Sequence, residues 1–278
     1  MRDSRRTSRT AGGATHSDCG VSAHQGATPA LVRLSDVDSE LIAGFQTSQV
    51  ELARQHLIAP LHVCRAGPIG LPPGLPIYGL VVSGFVMRLV NVGRRSSLQL
   101  LGPGDIVSFD GGADPLASVT TMFELIAVQT VELALIDDAL LSVAARLPPI
   151  LRRMAQRLER QSHEQAVRLA LAQMPRLEIR VLGLLWLLAD RWGMTSARGI
   201  VLPVPLSHSM IARMVCAQRP SVTSVMRQLA DSGAIDDVRR GTMRLMGCPP
   251  ELSGLPSRDT RMGMTADMPH DHELVSQL

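Results

Sequence analysis

The spacing of apolar positions divides the chain into stretches of different texture. Residues 1–30 are rich in Ser, Thr, Gly and Arg and nearly free of large apolar side chains. Such a stretch cannot bury enough surface to offset its ordering entropy, which predicts a disordered tail. From Ser35 to Leu57, the residues Leu41, Ile42, Phe45, Val50, Leu52 and Leu57 recur at helical spacing, with Ser35 placed as an N-cap. Between Pro60 and Ile136, short apolar runs are punctuated by Gly and Pro. Ile77–Val81, Phe85–Val92, Ser97–Leu101, Phe123–Val128 and Val131–Ile136 read as strands. Turn signals separate them at Ser83-Gly84, Gly93-Arg94-Arg95, Gly102-Pro103-Gly104-Asp105 and Asp110-Gly111-Gly112. Many short strands at this spacing predict an antiparallel barrel or sandwich.

After Asp137-Asp138 the period changes from two to about 3.6. A short helix is predicted over Ala139–Arg146. A long one follows from Pro148-Pro149 to about Gln173, since proline is tolerated in a first turn. Its apolar stripe runs through Ile150, Met154, Leu158, Ala166, Leu169 and Ala170, interrupted by Gln161, Ser162 and Gln165. A Leu-rich helix starts at Pro175, runs to Trp192 and stops at Gly193. The tail from about Pro249 repeats the N-terminal composition and is expected to be loose.

The segment Leu206–Leu229 carries the most specific pattern. Ser207 sits at an N-cap position before a short helix with Ile211, Ala212 and Val215 on one face, and a break falls at Cys216-Ala217-Gln218. A second helix turns Val222, Val225, Met226 and Leu229 inward and Arg219, Ser221, Ser224, Arg227 and Gln228 outward. Two short helices, a tight turn, and a small-polar and Arg face on the second helix are what insertion into a DNA major groove requires. Asp231–Ile235 ends that helix, and Val238–Leu245 reads as a β-hairpin wing turning at Arg240-Gly241. From the residues alone, an ordinary three-helix subdomain with an exposed hairpin is the alternative.

Hydrophobic residues make up 45% of the chain but aromatics only 3%, so the core must be built from Leu, Val, Ile, Ala and Met. The net charge of +3 is modest, yet residues 151–245 hold fifteen Arg against seven acidic residues, which leaves the remainder acidic. That asymmetry is expected where one half meets phosphates, although a solvated Arg-rich helical surface would look the same. All 28 basic residues are Arg. This first reflects the codon bias of a GC-rich genome, but the guanidinium fork also suits phosphate and guanine edges. Cys19, Cys64, Cys216 and Cys248 form no CxxC pair, which argues against a disulfide scaffold and a four-thiolate zinc site. Apolar runs such as Val181–Ala189 fall short of the ~20 residues of a membrane span, and the N-terminus lacks a signal-peptide segment. A soluble cytoplasmic protein is expected. With no Gly-rich phosphate loop, HExxH or GxSxG, an enzyme is not expected.

The Arg219-Pro-Ser-Val-Thr223 start of the second helix, the Leu229-x-x-x-Gly233-x-Ile235 stretch and the Arg240-Gly241 wing resemble the DNA-binding domain of the Crp–Fnr superfamily of bacterial transcription regulators. The wider order over residues 32–247 is also similar: a β-roll with the Gly102–Asp105 turn, a long helix, then a winged helix. The resemblance implies an α+β protein with a β-roll like that of cyclic-nucleotide-binding domains over residues 31–147. A dimerisation helix over 148–173, a winged helix-turn-helix domain over 174–248 and a flexible tail over 249–278 complete the expected organisation. It further implies a homodimer paired through Ile150, Met154, Leu158 and Leu169 that binds a palindromic operator in double-stranded DNA, with RNA polymerase a candidate partner. Carried over by position, Arg219 reaches a guanine edge, and Pro220 and Ser224 occupy neighbouring base-reading positions. Ser207, Ser209, Ser221 and Thr223 match phosphate contacts, and Arg227, Arg239 and Arg240 complete the expected interface. Cys216 departs from the glycine usual at the turn, which implies backbone strain.

Cyclic-nucleotide members of that family hold the ribose with a glutamate and the cyclic phosphate with an arginine. Here Asp105–Glu124 contains no Arg, and Phe109 and Thr121 fall near those two positions. A buried phosphate without a cation is costly, so binding in that mode is not expected. The roll is expected either to be purely structural or to take an unidentified small effector, whose residues stay unassigned. Iron–sulfur members gather Cys near the N-terminus, whereas only Cys19 and Cys64 precede the roll's strands. His16, His24, His56 and His62 are haem-ligand candidates by residue type alone, so no cofactor or metal is expected. The competing function is a regulatory or small-molecule-binding protein whose winged helix mediates protein contacts. The phosphate-facing set Ser207, Ser209, Arg219, Arg239 and Arg240 favours DNA, since protein contact would not need it.

Overall fold

The computed structural model describes residues 30–70, 76, 78–110, 118–238 and 242–250. The expected tails over 1–29 and 251–278, the Gly111-Gly112 turn, Ile77, and the wing-tip residues Arg239, Arg240 and Gly241 lie outside the described residues. The chain enters through β1 (Leu31–Arg33), the single-turn α1 (Leu34–Val37), a 3-10 turn at Ser39–Ile42, and α2 (Thr47–His56). The continuous helix expected over Ser35–Leu57 is therefore broken, and Gly44 adopts φ +77 between the pieces. Ser35 is not a cap: it is buried within α1, where its hydroxyl donates to Asp36 Oδ1 at 3.2 Å. Of the expected apolar positions, Leu41 and Leu57 are buried and Ile42 and Phe45 pack against the same core with Leu34 and Ala53, whereas Leu52 is exposed.

The roll is formed by β2 (Ile58–Cys64), β3 (Gly67–Pro68), β4 (Tyr78–Ser83), β5 (Val86–Val92), β6 (Arg95–Leu101), β7 (Ile106–Ser108), β8 (Met122–Ala127) and β9 (Val131–Ile136). Two antiparallel sheets result, in the orders β1-β2-β9-β4-β7 and β3-β8-β5-β6. The expected strands are present within two residues at each described end. β1, β2, β3 and β7 were not expected; β2 carries Pro60, and β1, β3 and β7 are too short to show a period. Val81, Val86, Leu101, Val107, Val131 and Leu133 meet between the sheets. Asp105 closes the Gly102–Asp105 turn from inside: fully buried, its Oδ2 accepts from the Gly102 N–H at 2.9 Å. Gly104 takes φ +85 there, a conformation that glycine adopts without penalty.

Next come α3 (Asp138–Ala145), capped by Asp137 Oδ1 on the Leu140 N–H at 2.8 Å, and α4 (Pro148–Ala172). The long helix carries two adjacent seams at heptad spacing. One, Ile150, Met154, Arg157, Gln161, Glu164, Arg168 and Leu171, faces the chain's own interior. Gln161 forms a pair of hydrogen bonds with the Ile106 backbone, at 3.1 and 3.4 Å. Arg157 donates to Gly104 O at 2.8 Å and to Asp38 Oδ1 at 2.7 Å. Ile150 is sealed in the roll core and Met154 packs against it, so these two expected pairing residues serve the protomer itself. The second seam, Leu151, Ala155, Leu158, Ser162, Gln165 and Leu169, faces outward, with Leu151, Leu158 and Leu169 at 41%, 51% and 65% exposure.

The rest comprises α5 (Leu177–Trp192), β10 (Met194–Ser196), β11 (Gly199–Leu202), α6 (His208–Met214), α7 (Arg219–Asp231), β12 (Ile235–Val238) and β13 (Thr242–Leu245). The strands form an antiparallel sheet, β10-β11-β13-β12, in which the unexpected β11 pairs edge to edge with β13 of the wing. Phe85, Leu89, Leu98 and Leu100 of the roll belong to one hydrophobic cluster with Val181, Leu185, Ile211, Val222 and Leu229. Trp192 stands edge-on to Phe85, with ring centroids 5.2 Å apart. No helix among the described residues is long and apolar enough to cross a membrane.

Candidate nucleic-acid interface

The helix-turn-helix is assembled by the local rules the sequence displays. Ser207 caps α6, its Oγ accepting from the Met210 N–H at 3.2 Å. Met210, Ile211, Ala212 and Met214 are buried, while Ser209 and Arg213 face outward one turn apart. The chain then reverses at Cys216, which has φ +54 and is the only positive-φ residue other than glycine among those described. The expected strain is therefore present. A Cβ in that region crowds the backbone at a cost of roughly 1–2 kcal/mol. Pro220 lies in the first turn of α7, where its missing N–H costs nothing.

Val222, Val225, Met226 and Leu229 are buried, and Arg219, Pro220, Ser221, Ser224, Arg227 and Gln228 are exposed on the opposite side of α7. This is the division expected from the sequence. Thr223 is only half-buried: its hydroxyl donates to Arg219 O at 3.0 Å and lies 3.0 Å from His208 Nδ1. It thus ties α6 to α7, and His208, which sequence reasoning passed over, is its partner. α7 ends where Gly233 adopts φ +73 and Ala234 N–H donates to Leu229 O at 2.9 Å. In the wing, Asp236 and Arg244 face each other across the β12–β13 pair with an ion pair of 3.0 Å.

Behind this surface, Arg191 of α5 binds Asp105 of the roll and Glu164 of α4, the latter at 2.7 Å. Burial pushes both carboxyls above their usual range, and Arg191 only partly offsets it. For Arg191, burial acts downward, but the two carboxylates outweigh it and hold the guanidinium charged. Arg168 donates to Leu98 O and, through Nη1, to Gln165 Oε1 at 3.2 Å; burial pulls it down to about 10. These contacts join the roll to α4 and α5.

A cleft of about 230 Å³ opens between the roll and α4, lined by Arg88, Gln99, Ser108, Gln161 and Ser162 among others. Arg88 comes from β5, outside the Asp105–Glu124 stretch, so sequence reasoning confined to that stretch missed a guanidinium on the cleft wall. Phe109 lies against β4, where a Cβ on Gly79 would be 2.8 Å from its ring, and Thr121 is exposed. Among the described residues, no group of three or more His, Cys, Asp or Glu gathers in metal-binding fashion.

Residues 179–246 match the family model of the Crp-like helix-turn-helix domain. No curated protein sequence matches the chain. The fold is similar to that of a cyclic nucleotide-binding domain containing protein from Listeria monocytogenes EGD-e, with TM-score 0.55 and 13% identity, covering 71% of this chain and 95% of that one. It is similar to FixK2 from Bradyrhizobium japonicum, with TM-score 0.53 and 17% identity over 68% and 93% of the two chains. A third similar structure is the c-di-GMP responsive global regulator CLP of Xanthomonas campestris, with TM-score 0.52 and 20% identity over 73% and 100%.

Proposed function

We propose that the chain is a transcription regulator of the Crp–Fnr superfamily, to whose helix-turn-helix domain residues 179–246 are similar, and that it works as a homodimer reading a two-fold symmetric operator with α7 in the major groove. The observation that carries this reading is the exposed face of α7. Arg219, Ser221, Ser224 and Arg227 stand clear of a capped and fully packed motif, with Ser207 and Ser209 at the adjoining helix start. Arg219 reads a guanine edge bidentately, and the serines donate to phosphates. Arg227, and Arg239 and Arg240 of the wing, extend the phosphate contacts, and Pro220 and Ser224 set the bases accepted beside the guanine. Leu158 and Leu169, joined by Leu151, pair the two copies through the outward seam of α4.

Selection of bound sequences from a random duplex library tests the reading. The expected product is a palindrome whose half-sites lie about one helical turn, ~10 base pairs, apart centre to centre. Enrichment of a single unrepeated motif, or of none, would contradict it. Regulation in this reading runs through the roll without a cyclic nucleotide bound in the usual family mode, since a phenyl ring, Phe109, falls near the ribose-binding carboxylate's position. RNA polymerase is the partner through which a bound dimer acts on transcription, and the protein performs no chemistry of its own.

A further inference from the structure

We infer that the β5–β6 hairpin of the roll is a second phosphate-binding element, which touches the DNA backbone beside the segment read by α7. The inference rests on the DNA-binding reading above and extends it to a part of the chain outside the helix-turn-helix. β5 and β6 stay in register from Val86↔Leu101 to Val92↔Arg95, which leaves Gly93-Arg94 as a two-residue turn with Gly93 at φ +56. Nothing lies within 4 Å of where a Cβ on Gly93 would stand, and Arg94 and Arg95 are exposed. Neither guanidinium has a carboxylate partner among the described residues, and β5 and β6 contain no acidic residue.

What the strand passes on its way to the tip decides the use of these charges. At Gly102, just past the end of β6, the backbone packs under Trp192, the last residue of α5. Midway along β6, which lies against α6, Leu98 O accepts from Arg168, and Arg168 lines a small enclosure with Met214 and Val215 at the end of α6. The strand therefore runs from the far end of α5 towards the turn of the helix-turn-helix. On from Leu98, three more residues, about 10 Å at ~3.3 Å each, lead past the contact with α6 to Arg95 at the tip of the hairpin. The turn of the helix-turn-helix leads directly into the N-terminal end of α7, the end that enters the groove. On α6, exposed Arg213 follows Ser209 by one turn and continues the row of phosphate donors towards the hairpin. Arginines held at this height, without carboxylates to neutralise them, suit the sequence-independent contacts of flanking backbone.

The test uses the selected operator as two duplexes, one trimmed to the bound core of about 22 base pairs and one extended by about 12 on each side. The wild-type chain is expected to bind the extended duplex more tightly and with a steeper salt dependence. R94A/R95A should bind both lengths alike, keep the core affinity within about twofold and lose about tenfold on the extended duplex. Its log–log salt slope there should be shallower by about 2–4, at ~0.9 for each phosphate that the arginines no longer neutralise. R94E/R95E should lose more, while thermal melting of both variants stays that of the wild type. A variant equal to wild type on the extended duplex, or losing equally on both lengths, overturns the inference. A wild-type chain that prefers no duplex overturns the assignment of α7 and this inference together, an outcome distinguishable from a failure of the hairpin alone.

Discussion

Arg191 grips Asp105 and Glu164 at once, so one guanidinium serves a fully buried and a partly buried carboxyl where the roll, α4 and α5 meet. Burial pushes both carboxyls up, which means the folded chain holds their protons more tightly than the unfolded chain does. The contribution of such a group to stability is complete below its unfolded pKa and is lost as pH rises through the raised folded value. Glu164→Gln removes one of the two groups. The wild type is therefore expected to gain stability relative to Glu164→Gln as pH falls from 7 towards the ordinary glutamate value. Melting temperatures of the two proteins across that range are the check, and a relative loss on acidification would mean that the ion pairs outweigh desolvation. At this scale, the sequence was legible where a residue broke a local rule. Cys216 in a glycine position announced the positive φ that the turn adopts. Arg191 and His208 gave no such signal, because their partners lie 86 and 15 positions away along the chain and only the fold brings them together.

The long helix shows what periodicity can and cannot resolve at the scale of one element. Its length and proline start were readable to within a residue, but its stripe was not, because two seams lie side by side on a helix with 3.6 residues per turn. The inward seam is mainly polar beyond Met154, and each of Arg157, Gln161, Glu164 and Arg168 has a hydrogen-bonding partner in the roll or α5, or on α4 itself. An apolar count alone therefore merges Ile150 and Met154 with Leu158 and Leu169, although the two pairs face different ways. Leu158→Asp should shift the protein from dimer to monomer in sedimentation velocity and weaken its binding to a palindromic duplex. Met154→Asp should instead lower the melting temperature, since that side chain packs on the roll. A Leu158→Asp protein that keeps its dimer mass with an intact fold would remove the outward seam from the interface. The same limit explains β10 and β11: strands of three and four residues carry too few positions to display a period, and β11 becomes a strand through its pairing with β13.

Across the whole molecule, the basic surplus of residues 151–245 is partly interior. Arg157, Arg168 and Arg191 are spent on joining the roll to the helices, so the phosphate-facing charge is smaller than the sequence count implies. The shared core of Phe85, Leu98 and Leu100 with the DNA-binding domain likewise makes the expected domain boundaries less separate in three dimensions than along the chain. Arg88 lines the cleft from β5, but Phe109 packs against β4 at Gly79 and Asp105–Glu124 supplies no arginine, so a cyclic nucleotide is not expected to bind in the usual family mode. Calorimetric titration with cyclic AMP and cyclic GMP is expected to show no binding at low micromolar ligand; a low-micromolar Kd together with tighter operator binding would reverse that conclusion. The central claim is that α7 reads sequence, and Arg219 is the residue on which it turns. Affinities of wild type and Arg219→Ala should be compared on the selected operator and on an unrelated duplex of equal length. A bidentate contact to guanine predicts a loss of about 1–3 kcal/mol on the operator and much less on the unrelated duplex. Equal losses on the two duplexes would make Arg219 a phosphate contact and contradict the account.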